Sequence, residues 1–135
     1  MRTTFFLSAL AAAAWLAAGN VAAHHAFSAE FDANRPIQLR GKVVKTEWIN
    51  PHSWIHLEVT GPDGQVATWA IECSAPNTLL RRGLNKNSIP VGTQLVVEGY
   101  GAKDGSTTAN ARDITLSDGS KFFVGSSGTG APDGR

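Results

Sequence analysis

Polar and apolar residues alternate most cleanly over residues 53–60, where Ile55, Leu57 and Val59 share one face and Trp54, His56 and Glu58 the other. A period of two is that of a half-buried strand, so the aliphatic set is expected to face a core. Gly61-Pro62-Asp63-Gly64 follows as a turn, and residues 66–73 return with Ala67, Trp69, Ile71 and Cys73 on the apolar side. The two runs therefore read as a hairpin. Ahead of it, residues 37–49 carry Ile37, Leu39, Val43, Val44, Trp48 and Ile49, which predicts a long first strand bent or bulged at Gly41.

After the hairpin the period changes. Ser74 is expected to cap a short helix with Pro76 in its first turn, ending at Gly83 with Leu84 closing a Schellman contact. Two further strands are expected over residues 95–102 and 109–116, with a short edge at 121–124. Strand, strand, strand, helix, strand, strand, with a long bent first strand, is the order of an OB-type barrel. The fold expected is all-β, a small OB-fold-like barrel of five to six strands with one short helix between strands three and four. An open sandwich is the alternative, and the inserted helix argues against it.

The ends lie outside this pattern. Arg2 precedes an apolar run over residues 5–18, and Val21 and Ala23 are small residues suited to signal peptidase, so residues 1–23 read as a secretory signal with His24 as the new terminus. Cleavage after Ala22 is the second choice. The run falls short of the roughly 20 residues a membrane-crossing helix needs, and no second one follows, so no membrane span is expected after cleavage. Residues 24–36 are then an N-terminal arm, 37–124 the barrel and 125–135 a Gly/Ser-rich, disordered tail. The expected location is periplasmic or secreted.

Composition narrows the partners. The chain of 135 residues holds one domain, and losing residues 1–23 removes Arg2 and no acid, so 12 Lys+Arg becomes 11 against 11 Asp+Glu. A neutral surface with no basic run gives phosphate little to bind, and nucleic acid is not expected as a partner.

Candidate chemistry concentrates in the histidines. His24 and His25 stand at the expected mature start, and His52 and His56 bracket the start of the second strand. A terminal amine and a nearby imidazole chelate Cu(II) in a nitrogen-rich arrangement, which makes copper the expected ion. If the arm folds back, His24, His25, His52 and His56 converge on one metal, shielded by Trp48 and Trp54. The alternative for His24 and His25 is a polar lead-in to an arm whose Phe27 and Phe31 pack on the barrel. Strand geometry sets His52 and His56 about 13 Å apart by rise alone, too far for one ion unless Asn50-Pro51 bends the chain.

Cys73 is single, so no internal disulfide is possible, and it falls on the core face as a buried thiol. The mature chain retains no methionine, which disfavours a soft cuprous site. Glu30, Asp32, Glu47, Glu58 and Glu72 show no spacing that forces two of them into one cleft, and Glu58 and Glu72 are expected to face solvent. Neither a nucleophile with its base nor a phosphate loop is visible, so no enzyme activity is expected. A second function is a metal-free module of the cell envelope, in which Trp48, Trp54, Arg81 and Arg82 offer a groove to a ligand or an envelope protein. A stabilising subunit of a larger envelope complex is a third.

Several segments together carry a resemblance: His24-His25-Ala26-Phe27, Glu30-Phe31-Asp32, Gly41-Lys42-Val43, Glu47-Trp48-Ile49-Asn50-Pro51-His52, Ser74-Ala75-Pro76-Asn77, Arg82-Gly83 and Ala102-Lys103-Asp104-Gly105-Ser106. From about His24 to Val124 the chain resembles a family of small exported bacterial proteins known only as a domain of unknown function. That resemblance implies export and a single small β domain, and almost nothing about activity. A looser likeness, at the level of fold, is to the periplasmic copper and silver carrier of efflux pumps. That carrier's methionines have no counterpart here, so its ligand set does not transfer.

Overall fold

Ile55 and Leu57 are buried on the inner face of the second strand while Trp54, His56 and Glu58 stand outside, as the alternation predicts. A computed structural model of the chain describes residues 27–126. Residues 27–30 form a helical turn, followed by β1 (Phe31–Glu47), β2 (Trp54–Thr60), β3 (Val66–Glu72), α1 (Pro76–Arg81), β4 (Gln94–Ala102), β5 (Thr108–Leu116) and β6 (Lys121–Phe123).

The strand order is β3-β2-β1-β4-β5-β6. β3 also pairs in parallel with β5 through Ala70–Thr108, Ile71–Ala109 and Glu72–Asn110, which closes the first five strands into a barrel. With a short helix between β3 and β4, the fold is all-β and OB-like. Closure leaves a single interior, filled by Val43, Leu57, Ile71, Val97 and Ile114, all with no exposed surface. Leu79 of α1, Leu84 and Ile89 pack into the same core.

β1 can serve two neighbours because it is long. Its first part pairs with β4 and its last part with β2, and Lys42 faces both Glu58 and Gln94. The expected irregularity at Gly41 is displaced: the register shifts between Val43 and Lys45. Gly41 serves close approach instead, since a Cβ there would stand 2.3 Å from the Glu58 carbonyl oxygen and 2.9 Å from Leu57 Cγ. β1 also begins six residues before Ile37, inside the stretch expected to be an arm. Between the pairs Phe31–Ala102 and Pro36–Tyr100, β1 carries more residues than β4, an irregularity made by Asp32, Ala33, Asn34 and Arg35, which have no apolar strand period. Asp32 Oδ1 there accepts from the Asn34 amide at 2.9 Å, and Arg35 Nη1 donates to the Ala102 carbonyl at 3.1 Å.

α1 ends as expected. Gly83 takes φ +88°, its amide donates to the Leu80 carbonyl, and the Leu84 amide donates to that of Leu79, which is the Schellman arrangement. Its start differs. The N-cap is Ala75, whose methyl group can accept nothing, and the Ser74 hydroxyl expected to cap the helix donates instead to the Gly125 carbonyl at 2.6 Å. Gly125, expected to open the tail, is thereby held: its amide donates to the Arg112 carbonyl and Arg82 Nη1 donates to its carbonyl at 2.8 Å. The rest of the tail from residue 127, and the segment expected to be a signal, lie outside the described residues.

Candidate functional site

At one end of the closing β3–β5 seam, the ends of the described chain meet over a cavity of about 350 Å³. Phe27, Phe31 and Trp54 supply aromatic walls, and Glu30, His52, Glu72, Asn110 and Ser126 the polar lining. Pairing sets the arrangement: Trp54 lies opposite Glu72 across the hairpin, and Glu72 lies beside Asn110 across the parallel seam. The turn at 27–30 then brings Phe27 onto Phe31, rings 5.8 Å apart, and edge-on to Tyr100 at 5.7 Å.

His52 follows the Asn50–Pro51 bend, where that peptide bond is cis. Its Nδ1 lies 3.1 Å from Glu72 Oε1 as an ion-pair contact, and that oxygen accepts a long hydrogen bond from Asn110 Nδ2 at 3.4 Å. Glu72 is 7% exposed, so the expectation of a solvent-facing carboxylate is overturned. It does lie on the outer face of β3, but residues of the 27–31 segment share the cavity that covers it. Burial pushes its pKa up; His52 acts against that and the negative charge of Glu30 adds to it. Spacing had given no reason to place two carboxylates in one cleft, yet Glu30 and Glu72 line the same one.

The remaining candidates are placed elsewhere. His56 lies beside β1, its Nε2 2.6 Å from Glu47 Oε2, and is not among the cavity-lining residues. That hydrogen bond, with a further one from Lys45, holds the Glu47 carboxyl below its ordinary range. His52 and His56 thus engage carboxylates on strands flanking opposite sides of β2. Trp48 packs against the core, its indole Nε1 buried without an acceptor among the described residues, so of the two tryptophans expected to shield a metal only Trp54 stands beside His52. Arg81 is exposed and donates to Thr78 Oγ1 at 3.3 Å.

Arg82, expected to face a ligand groove, is turned onto the chain itself. Its Nη1 contacts Ser74 Oγ, the Phe123 carbonyl and the Gly125 carbonyl, and its guanidinium carbon lies 4.4 Å from the centre of the Phe123 ring. Arg82 therefore fastens the segment that delivers Ser126 to the cavity. Cys73 is buried as expected, and burial pushes its thiol up to about 12, with Glu72 adding to the shift. That thiol is inert at neutral pH.

His24 and His25 lie outside the described residues. Among the described residues no group of three or more His, Cys, Asp or Glu side chains is placed to hold a metal ion, and no helix is long and apolar enough to cross a membrane.

Residues 11–111 match the model of a single family. The chain belongs to a family of unknown function (DUF6152). The match spans β1 to β4 and the first part of β5, and so takes in every described cavity residue except Ser126. No curated protein matches this family member. Among solved structures it is similar to the mitochondrial single-stranded DNA binding protein Rim1 of S. cerevisiae, at 14% identity over 61% of this chain and 92% of that one, with a TM-score of 0.47. It is also similar to the N-terminal domain of the PriB protein of Thermoanaerobacter tencongensis, at 26% identity over 62% of this chain and 96% of that one, with a TM-score of 0.42.

Proposed function

We propose that this family member is exported, loses residues 1–23, and binds a transition-metal ion through His24, His25 and His52. It acts as a metal-binding protein of the periplasm or the secreted fraction, without catalysis. The observation that carries the reading is the contact of His52 Nδ1 with the buried Glu72 carboxylate. This ion-pair contact sets Nδ1 against the carboxylate, and Nε2 is then the ring nitrogen left for a ligand. No hydrogen bond among the described residues engages His52 Nε2.

Chain geometry supports the other two ligands. Phe27 lines the cavity that holds His52. Two residues of chain span at most about 7 Å and three about 11 Å, so the rim of that cavity is within the reach of His25 and His24 from Phe27. A terminal amine and imidazoles form a nitrogen set, and copper heads the affinity order for such ligands. Glu30 adds a carboxylate at the same rim. His56 has no place in this set, being paired with Glu47 on another strand.

The test is a copper titration of the mature chain. The expected result is one Cu(II) per chain, weakened by at least about tenfold in a variant carrying His24→Ala and His25→Ala. Unchanged affinity in that variant, or an uncleaved leader on the exported protein, overturns the proposal.

A further inference from the structure

Asn110 Oδ1 has no part in the metal reading. The side chain is 2% exposed, its Nδ2 is directed at Glu72 Oε1, and Oδ1 has no hydrogen-bond donor among the described residues. Turning the amide over would set its carbonyl against the Glu72 carboxylate, so Oδ1 is the atom left over. A buried acceptor without a donor is uncommon in a folded chain, and here it belongs to a side chain lining a cavity.

Glu30 and Glu72 add carboxylate acceptors, His52 and Ser126 complete the polar lining, and neither Lys nor Arg lines the space. No salt bridge among the described residues engages Glu30. The walls are the rings of Phe27, Phe31 and Trp54, whose faces carry partial negative charge. Buried acceptors on Asn110 and Glu72, the exposed Glu30 carboxylate and aromatic faces together form a receptor for a cation bearing N–H groups. At about 350 Å³ the space is far larger than a bare ion needs.

We infer that this cavity binds a small alkylguanidinium, its N–H groups directed at Asn110 Oδ1, Glu30 and Glu72, and its plane and stem against Trp54 and Phe27. A guanidinium presents its donors in a planar fork and stacks on aromatic faces, which suits a cavity offering both kinds of partner. Binding requires neither a metal nor His24 and His25, so it stands or falls apart from the metal reading.

The probe is n-butylguanidinium, titrated into the full mature chain in the presence of EDTA and followed by the amide and indole resonances of Asn110 and Trp54. The neutral isostere n-butylurea tests the charge, and tetramethylammonium, a cation without N–H, tests the acceptors. Expected are saturable shifts centred on the cavity, with both controls weaker by at least about tenfold, the scale of one charge-assisted hydrogen bond. Glu30→Gln, at an exposed position, should weaken binding by a similar factor, Asn110→Leu should abolish it, and a variant lacking His24 and His25 should bind as wild type. Equal binding of butylurea, no saturable shift, or wild-type binding by Glu30→Gln overturns the inference whether or not Asn110→Leu folds.

Discussion

Replacing Arg82 with Met separates the two roles open to that residue. If Arg82 waits in a groove for a ligand, its removal leaves the folded domain intact; if it fastens the chain after β6, its removal loosens the barrel. Its bond to the Gly125 carbonyl is short at 2.8 Å, whereas those to Ser74 Oγ and the Phe123 carbonyl are long at 3.3 and 3.4 Å. One good charge-assisted bond contributes about 1.5–3 kcal/mol. The contact with the Phe123 ring adds about 0.5–1 kcal/mol. Arg82 is half-buried, and Ser74 Oγ still serves the Gly125 carbonyl in the variant, so a loss near the low end, about 2 kcal/mol, is expected. For a domain of this size that lowers Tm by roughly 8–16 °C. Thermal unfolding followed by far-UV circular dichroism measures it, with exposed Arg81→Ala as the control that stays within about 3 °C of wild type. A fall in Arg82→Met no larger than that of the control refutes the fastening role.

Three further outcomes follow from packing and charge. In Gly99→Ala the new Cβ would lie 2.1 Å from the Asn110 carbonyl oxygen, and backbone must shift to admit it, so denaturant unfolding should show a loss of about 1–3 kcal/mol or more. Glu72→Gln should stabilise the domain at neutral pH: a carboxyl raised on folding is penalised when ionised, and the penalty is absent below its ordinary value near 4.5 and grows as pH rises through that value. Urea midpoints of the two proteins should therefore coincide at low pH and separate above it, and a gap independent of pH contradicts the assignment. Cys73 should resist a thiol reagent in native buffer and react fully in denaturant, and rapid native labelling would contradict its burial.

The barrel was legible because its inner face is written in periods of two. Ile55 and Leu57, the Gly61–Gly64 turn and the Gly83–Leu84 stop each carry a local signal, and each stands where its chemistry places it. The cavity was only half legible. His52 and Trp54 were visible as residue types near a bend, but their partners Glu72 and Asn110 come together through the parallel β3–β5 seam, a contact between distant segments with no local pattern. Glu72 occupies a position whose parity correctly assigns it to the outer face. What parity does not report is that the turn at 27–30 and the start of β1 cover that part of the face. The early start of β1 was hidden for a related reason: Asp32, Asn34 and Arg35 satisfy the chain through side-chain bonds in place of an apolar repeat. Arg82 shows the same limit, since its acceptors at 123 and 125 are far away in sequence. Orphaned Asn110 Oδ1 and Glu30 become meaningful together only once the cavity exists.

The central claim is the proposal that His52, in contact with Glu72, shares a metal with the histidines just ahead of Phe27. Adding a substoichiometric amount of Cu(II) to the ¹⁵N-labelled mature chain locates the ion directly, because paramagnetic broadening falls steeply with distance. The account predicts that broadening centres on His52, Glu72 and Asn110 as well as on the first residues of the mature chain, and that His52→Ala abolishes the effect at Glu72 and Asn110. Broadening confined to the chain terminus, or centred on His56 and Glu47, would contradict it.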